Sequence, residues 1–312
     1  MKIRIVWLLF FVPLFIFSCN LDQVRDQQVN LEVDYLTYLE INPGGLEVRI
    51  IGDESVNGTV IESRITRENE FSPLLRVNRQ FGRIVLDLDN IRNNVNPTSG
   101  YIEIRSSENF EWKVVGGSNK ISILNLDAKR IQVEQKSGEI ALENIRAEEI
   151  LISQDAGIFT GSKLESANFF LNLLGGSGTI QNCKGTTGVF TEGGRVTVQD
   201  VGTMNLAAAN SPGGLVSLQN VELLRAASAG RGEVRGENVG LANRVELNAA
   251  GGKVGLNTPT DISGYGYLFN LSPGSVSIGE KTFNSSVSEF SDGQPLLFGS
   301  IYSGSVSVKR SF

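Results

Sequence analysis

Apolar residues recur two apart along much of this chain, return three positions later, and the whole pattern repeats about every nineteen residues. Repeats open at Gly100, Asn119, Gly138, Gly157, Gly176, Gly194, Gly214, Gly232, Gly252 and Gly274. The third and fifth residues of a repeat are usually apolar, as in Ile102 and Ile104, Ile121 and Ile123, Ile140 and Leu142, or Val196 and Val198. Residues two apart on a strand share a face, so each pair points into a common interior. The eighth residue is apolar again in Leu126, Ile145, Leu164, Cys183, Val201, Val221 and Val239. Just before it stands Asn125, Asn144, Asn182, Asp200, Asn220 or Asn238, a residue type that tolerates the left-handed backbone of a bend. A second strand follows, marked by Trp112 and Val114, Ile131 and Val133, Ile150 and Ile152, Phe169 and Leu171, Leu206 and Ala208, then Val245 and Leu247 one residue late. Glycine pairs such as Gly175-Gly176 and Gly193-Gly194 close several repeats.

Two strands and two bends in so few residues cannot bury their apolar face alone, so the repeats must stack. About ten coils at a strand spacing of about 4.8 Å predict an all-β parallel β-solenoid roughly 45 to 50 Å long. A leucine-rich-repeat arrangement has a similar Asn column, but the inter-strand segments here are too short and too rich in Gly, Ser and Thr for a helix in each repeat.

The pattern divides the chain into a regular solenoid over 100–278 and irregular β caps over 36–99 and 279–312. Alternation persists in the first cap (Leu46, Val48, Ile50; Ile84, Leu86, Leu88), and the chain ends on one more strand, Gly304-Ser-Val-Ser-Val308. Residues 19–35 are polar and read as a tether. Residues 1–18 read as an export signal, with Lys2 and Arg4 ahead of the apolar run Ile5 to Phe17. Thirteen residues as a helix span about 20 Å, short of a roughly 30 Å hydrocarbon core. Ser18-Cys19, with Ile16 and Phe17 ahead, resembles a bacterial lipobox, which implies lipidation at Cys19 and a membrane partner through that anchor; the bulky Phe17 departs from the usual pattern.

Charge and composition then remove whole classes of function. The chain carries 28 basic and 34 acidic residues, net −6, and loses Lys2 and Arg4 with the signal. That balance disfavours nucleic acid as a partner. There is no histidine, which removes imidazole-based triads and most zinc sites. With Cys19 lipidated, Cys183 is the one thiol left, and its place in the eighth-residue column reads as core.

Several constellations carry chemistry on paper. Asp87 and Asp89 share a strand face, as paired carboxylates of a glycosidase would, but a solvated outer face explains them as well. Glu103, Glu108, Glu111, Glu143, Glu148 and Glu149 recur at similar coil positions and could ladder around a cation, yet Lys129, Arg130 and Arg146 stand among them. Gly175-Gly-Ser-Gly-Thr-Ile180 lacks the aspartate of a calcium-binding β-roll repeat, and no glycine pair is followed by the Lys-Ser or Lys-Thr of a phosphate loop. No cofactor, metal or catalytic residue is expected. The alanine-rich coils over 194–251 (Ala207 to Ala209, Ala226, Ala227, Ala229, Ala249, Ala250) predict either a tight interior or a flat outer strip suited to an extended partner such as a glycan.

The lipobox, the irregular β-rich start and glycine-opened coils such as Ser137-Gly-Glu-Ile-Ala-Leu142, Gly194-Arg-Val-Thr-Val198 and Gly304-Ser-Val-Ser-Val308 resemble the bacterial putative adhesin families. These are right-handed β-helix domains of unknown function that include the auto-transporter adhesin head type, and the likeness covers roughly 46–308. The resemblance implies a right-handed helix and a cell-envelope setting, and it supplies no catalytic residues. The expectation is therefore a non-catalytic, lipid-anchored envelope protein, placed at the outer membrane, that binds a glycan or protein or serves as a scaffold. A polysaccharide lyase or glycosidase on a β-helix is the alternative, and it requires Asp, Lys and Arg gathered on one face.

Overall fold

The structure, a computed structural model, describes residues 23–31, 36–67, 75–88, 99–208 and 214–311. Their 23 strands join in one hydrogen-bonded sheet that is all parallel through its middle. The expected all-β, solenoid-like stack is what the repeats build. Glu139–Gln154 shows the unit: it bends at Asn144 and lies along Ile158–Leu173, with Ile140 beside Phe159 and Ile150 beside Phe169. The paired apolar positions face inward and are essentially fully buried, from Ile121 and Ile123 to Val245 and Leu247. Where glycine replaces an inward apolar residue, a neighbour fills the space: Gly161 sits against the Phe159 ring and Leu164.

The two corners have different chemistry. At one, Asn125, Asn144, Asn182, Asp200, Asn220 and Asn238 all take φ between 52° and 55°, the left-handed bend expected of them. Their side chains also ladder: Asn144 Nδ2 donates to Asn125 Oδ1 at 2.9 Å, Asn220 to Asp200 at 2.7 Å and Asn238 to Asn220 at 2.8 Å. Lys163 occupies the same position with φ 53°, a substitution the Asn column did not reveal. At the other corner glycine is required by close approach, since a Cβ on Gly157 (φ 122°) would run into the Gly138 carbonyl oxygen. Asn119 opens its repeat without glycine because its buried amide donates to Leu46 O at 2.8 Å.

The ends depart from the expected order. Tyr38–Asn42 is not the outermost layer but lies between Arg83–Leu88 and Glu111–Gly116. Glu47–Gly52 likewise lies between Ser99–Ser106 and Lys120–Leu124. The other end mirrors this: Leu296–Tyr302 separates the second half of Glu233–Ala250 from Gly266–Leu271, and Gly304–Arg310 separates Lys253–Thr258 from Gly274–Ile278. The repeats opening at Gly252 and Gly274 are therefore not spatial neighbours, and 296–310 is an inner layer, not an end cap. Antiparallel strands finish each end, with Leu75–Gln80 and Thr59–Arg67 on one side and Lys281–Phe283 and Val287–Glu289 on the other. Within the stretch read as a tether, Gln23–Leu31 forms a strand antiparallel to Thr59–Arg67. The physical reason is common to all three departures: an open edge of unpaired backbone groups is covered by whatever strand the chain can return to it. Among the described residues no helix is long and apolar enough to cross a membrane.

Candidate binding surface

One broad outer face is built by the second strands of the coils, and its character changes along the stack. Over the first coils the outward side chains are paired charges. Lys129 Nζ lies 3.5 Å from Glu111, Arg130 Nε 2.8 Å from Glu149 and Lys113 Nζ 3.4 Å from Glu134. Exposed pairs of this kind are worth at most about 1 kcal/mol each, so their effect is to neutralise the surface more than to hold the fold. Beyond them the face turns apolar and uncharged. Leu151 stacks beside Phe170, Phe170 beside Gly188, and Asn172 beside Phe190. Phe170 is 44% exposed, with no side chain on Gly188 to cover it. Asn168, Asn172 and Ser153 surround it, and among the described residues no ion pair involves residues 166–232.

The alanine-rich coils divide between interior and surface. Ala227, Ala229 and Ala249 point inward and are buried, whereas Ala226 is half-buried and Ala250 exposed. Ala207 and Ala208 lie on a strand whose side chains are not described there, and Ala209 lies outside the described residues.

The strand register shifts repeatedly on this side of the stack, at Ser166/Asn168, Cys183/Thr186 and Met204/Asn205, and then at both Val221/Leu224 and Leu224/Ala226. Met204 pairs with Leu224 but Asn205 pairs with Ala226, leaving Arg225 as an extra residue. One coil on, Leu224 pairs with Leu241 and Ala226 with Glu246, so that 242–245 stand against Arg225 alone as a bulge, while Arg244 and the fully buried Val245 keep register with Leu296 and Leu297 on the other side. Tyr265 braces this bulge from the next coil, its single hydroxyl proton shared between Ala242 O at 3.1 Å and Leu241 O at 3.3 Å. Burial raises the Tyr265 phenol pKa above its ordinary value. Thr260 Oγ1 accepts from the Leu241 N–H at 3.0 Å. A groove of about 490 Å³ results, lined by Leu223, Arg225, Leu241, Ala242, Asn243 and Arg244.

A second groove, of about 480 Å³, runs along the Asn corner and holds Asp53, Glu54, Glu108, Asp127 and Glu165 with Arg146 and Lys163. Acids and an arginine do gather here, as the enzyme alternative requires. The two cations are nevertheless already engaged: Arg146 lies 3.4 Å from Asp127 and 3.8 Å from Glu165, and Lys163 lies 3.9 Å from Glu143. Hydrogen bonds from the hydroxyl and backbone N–H of Ser55 hold the Asp53 carboxyl below its ordinary pKa, the opposite of what a general acid needs.

The other sequence candidates scatter. Asp87 lies on the outer side of its strand between buried Leu86 and Leu88, accepting from Asn42 Nδ2 at 2.6 Å and Asn78 Nδ2 at 3.5 Å. Asp89 and Cys19 lie outside the described residues. Glu103, Glu111, Glu143 and Glu149 each sit within 4 Å of a basic side chain. Among the described residues no three acids or cysteines come together closely enough to hold a metal ion. Cys183 is buried next to Val201, and desolvation pushes its thiol pKa up to about 11, as befits an inert core residue. Ile180 is fully buried.

Comparisons with known proteins place this geometry. No curated protein matches the chain. Among solved structures it is similar to a putative adhesin of Bacteroides fragilis (10% identity, covering 93% of this chain and 97% of that one, TM-score 0.45). It is also similar to a putative lipid binding protein of Parabacteroides distasonis (12%, 91% and 96%, 0.38) and a putative adhesin of Parabacteroides merdae (9%, 92% and 96%, 0.32). The Toastrack family model, DUF4097, matches residues 94–296, and the chain belongs to that family.

Proposed function

We propose that this is a non-catalytic binding protein of the bacterial cell envelope, lipid-anchored through Cys19 at the outer membrane, which holds an extended partner against its second-strand face. In this reading residues 1–18 are a cleaved signal, and the solenoid is right-handed with about ten coils. The partner is a glycan chain. The observation that carries the reading is the change along the face: paired charges give way to an uncharged strip on which Phe170 stands 44% exposed among Asn168, Asn172 and Ser153. Exposed aromatic rings beside amides and hydroxyls suit the apolar face and hydroxyl rim of a sugar. A flat stack also presents such groups at a regular spacing of about 4.8 Å per coil, which suits a polymer better than a small molecule.

The test is protease accessibility on intact cells, compared with cells whose outer membrane has been opened and with a Cys19→Ala variant. Digestion on intact cells, with release of the variant from the membrane fraction, is expected. Protection until the membrane is opened would contradict surface display, and membrane retention of Cys19→Ala would contradict the lipid anchor.

A further inference from the structure

The bulge at 242–245 is the largest of several register shifts along the described parallel strands, and it is held in place from the neighbouring coil. Tyr265 bonds the Ala242 carbonyl at its start and the adjoining Leu241 carbonyl, and Thr260 takes the Leu241 N–H. Stacks of this kind gain by staying in register, so a break that the rest of the structure supports points to use. What the break presents is positive charge. Arg225 is the extra residue of one coil and Arg244 lies in the bulge of the next, and both line the same groove. Both are exposed, and among the described residues neither has a carboxylate within ion-pair distance, in a chain of net charge −6. The adjacent Glu246 accepts instead from Asn248 Nδ2 at 2.8 Å. The Arg244 guanidinium lies 5.4 Å above the Phe298 ring. Two guanidinium groups facing one groove repel each other unless an anion lies between them, and each offers a planar fork that matches a carboxylate or sulfate.

We infer that the groove between Leu223–Arg225 and Leu241–Arg244 binds an acidic sugar residue, whose anionic group sits between the two arginines. Asn243 is placed to meet ring hydroxyls, and the half-buried Leu223 and Ala242 offer an apolar wall to the sugar face. Half-buried Ala226, next to Arg225, continues from this groove onto the second-strand face, so one glycan chain can lie on both. The inference rests on the glycan-binding reading above and names the sugar class.

Titration calorimetry on the full-length protein tests it, with three probes: an oligogalacturonate, its methyl ester and a sulfated oligosaccharide of similar length. The acid is expected to bind at least tenfold more tightly than its ester, with affinity falling as salt rises. Arg225→Gln and Arg244→Gln are each expected to weaken it tenfold or more. Lys184→Gln and Arg195→Gln, which remove cations elsewhere on the stack, are expected to leave it unchanged. Tighter binding of the sulfated probe through the same two arginines would assign the anion as sulfate. Equal binding of acid and ester, equal loss with the Lys184 and Arg195 variants, or no binding of either anionic probe would overturn the inference. Because the arginines are exposed, circular dichroism of the variants should match the parent, and Tyr265→Phe, which loosens the bulge with both arginines in place, is a second route expected to weaken binding. If a neutral glycan binds and is lost on Phe170→Ala while the acids do not bind, this inference fails and the proposed function stands.

Discussion

The coils around 111–165 and those around 215–250 share one repeat and one interior, yet their surfaces follow opposite rules. In the first group neighbouring coils stay in register, and ion pairs link them across the stack, from Lys129 with Glu111 to Arg146 with Glu165. In the second the register slips against the coils on both sides, and Arg225 and Arg244 line a groove without an acid partner. The interior tolerates both, because Ala227, Ala229 and Ala249 replace bulkier core residues where the backbone shifts. A repeat fixes what must be inside; it leaves the outside free to be neutral in one place and unsatisfied in another.

The contrast can be broken most severely through the chain's last strands. Leu297, Ile301, Val306 and Val308 are at most 1% exposed and lie between two layers. Removing 296–312 forfeits roughly 1.5 to 3 kcal/mol for each such side chain, or roughly 6 to 12 kcal/mol, comparable to the whole stability of many domains. Limited proteolysis should then show the 233–283 region digested while the coils around 111–190 persist. Loss of both regions together would mean that the two groups do not differ in what supports them.

Next in size is Phe159→Ala. The ring is fully buried, 6.1 Å from the Phe169 ring, and fills the space left by Gly161. A loss of about 3 to 5 kcal/mol in chemical denaturation is expected, and it should fall on the charge-paired coils. Tyr265→Phe is smaller, removing hydrogen bonds to Leu241 O and Ala242 O at about 1 kcal/mol. Its signature is faster amide exchange over 241–246 with 139–154 unchanged.

The smallest effect is pH-dependent and lies at the amino-terminal end. Burial by itself would raise the Glu40 carboxyl pKa, but hydrogen bonds from Tyr38 at 2.9 Å, Arg83 at 2.7 Å and Asn42 at 3.4 Å bring it below the ordinary value. A depressed carboxylate stabilises the fold fully above its unfolded value of about 4.3 and loses that contribution as pH falls through the folded value. Acidification should therefore loosen Tyr38–Asn42 before the regular coils, and Arg83→Gln should shrink the difference. Proteolysis across that range of pH checks it.

Much of the fold was legible because the repeat encodes contacts between successive coils. The inward pairs, the left-handed Asn column and the core position of Cys183 follow from spacing and residue type alone. The order of layers at the ends was not legible: Glu47–Gly52 and Gly304–Arg310 carry the same alternation as any other strand, and nothing local says which two layers they enter. The candidate surface was only half legible. The alanine content of these coils is plain, and Val245 and Leu247 stand one residue late, but a shifted period does not say that 242–245 form a bulge or that Tyr265 braces it. Arg225 and Arg244 are unremarkable in sequence, since their lack of partners is a property of the stacked structure.

On the proposed reading, the bulged coils and the uncharged strip beside them, not the charge-paired coils, hold the partner. Hydrogen-exchange footprinting of the intact protein with an oligogalacturonate tests it most directly. Slower exchange over 223–228, 241–248 and the neighbourhood of Phe298, extending at most to the strip around Phe170, is the result predicted. Protection centred on 111–154, or along the acidic groove of Asp53 and Asp127, would contradict it.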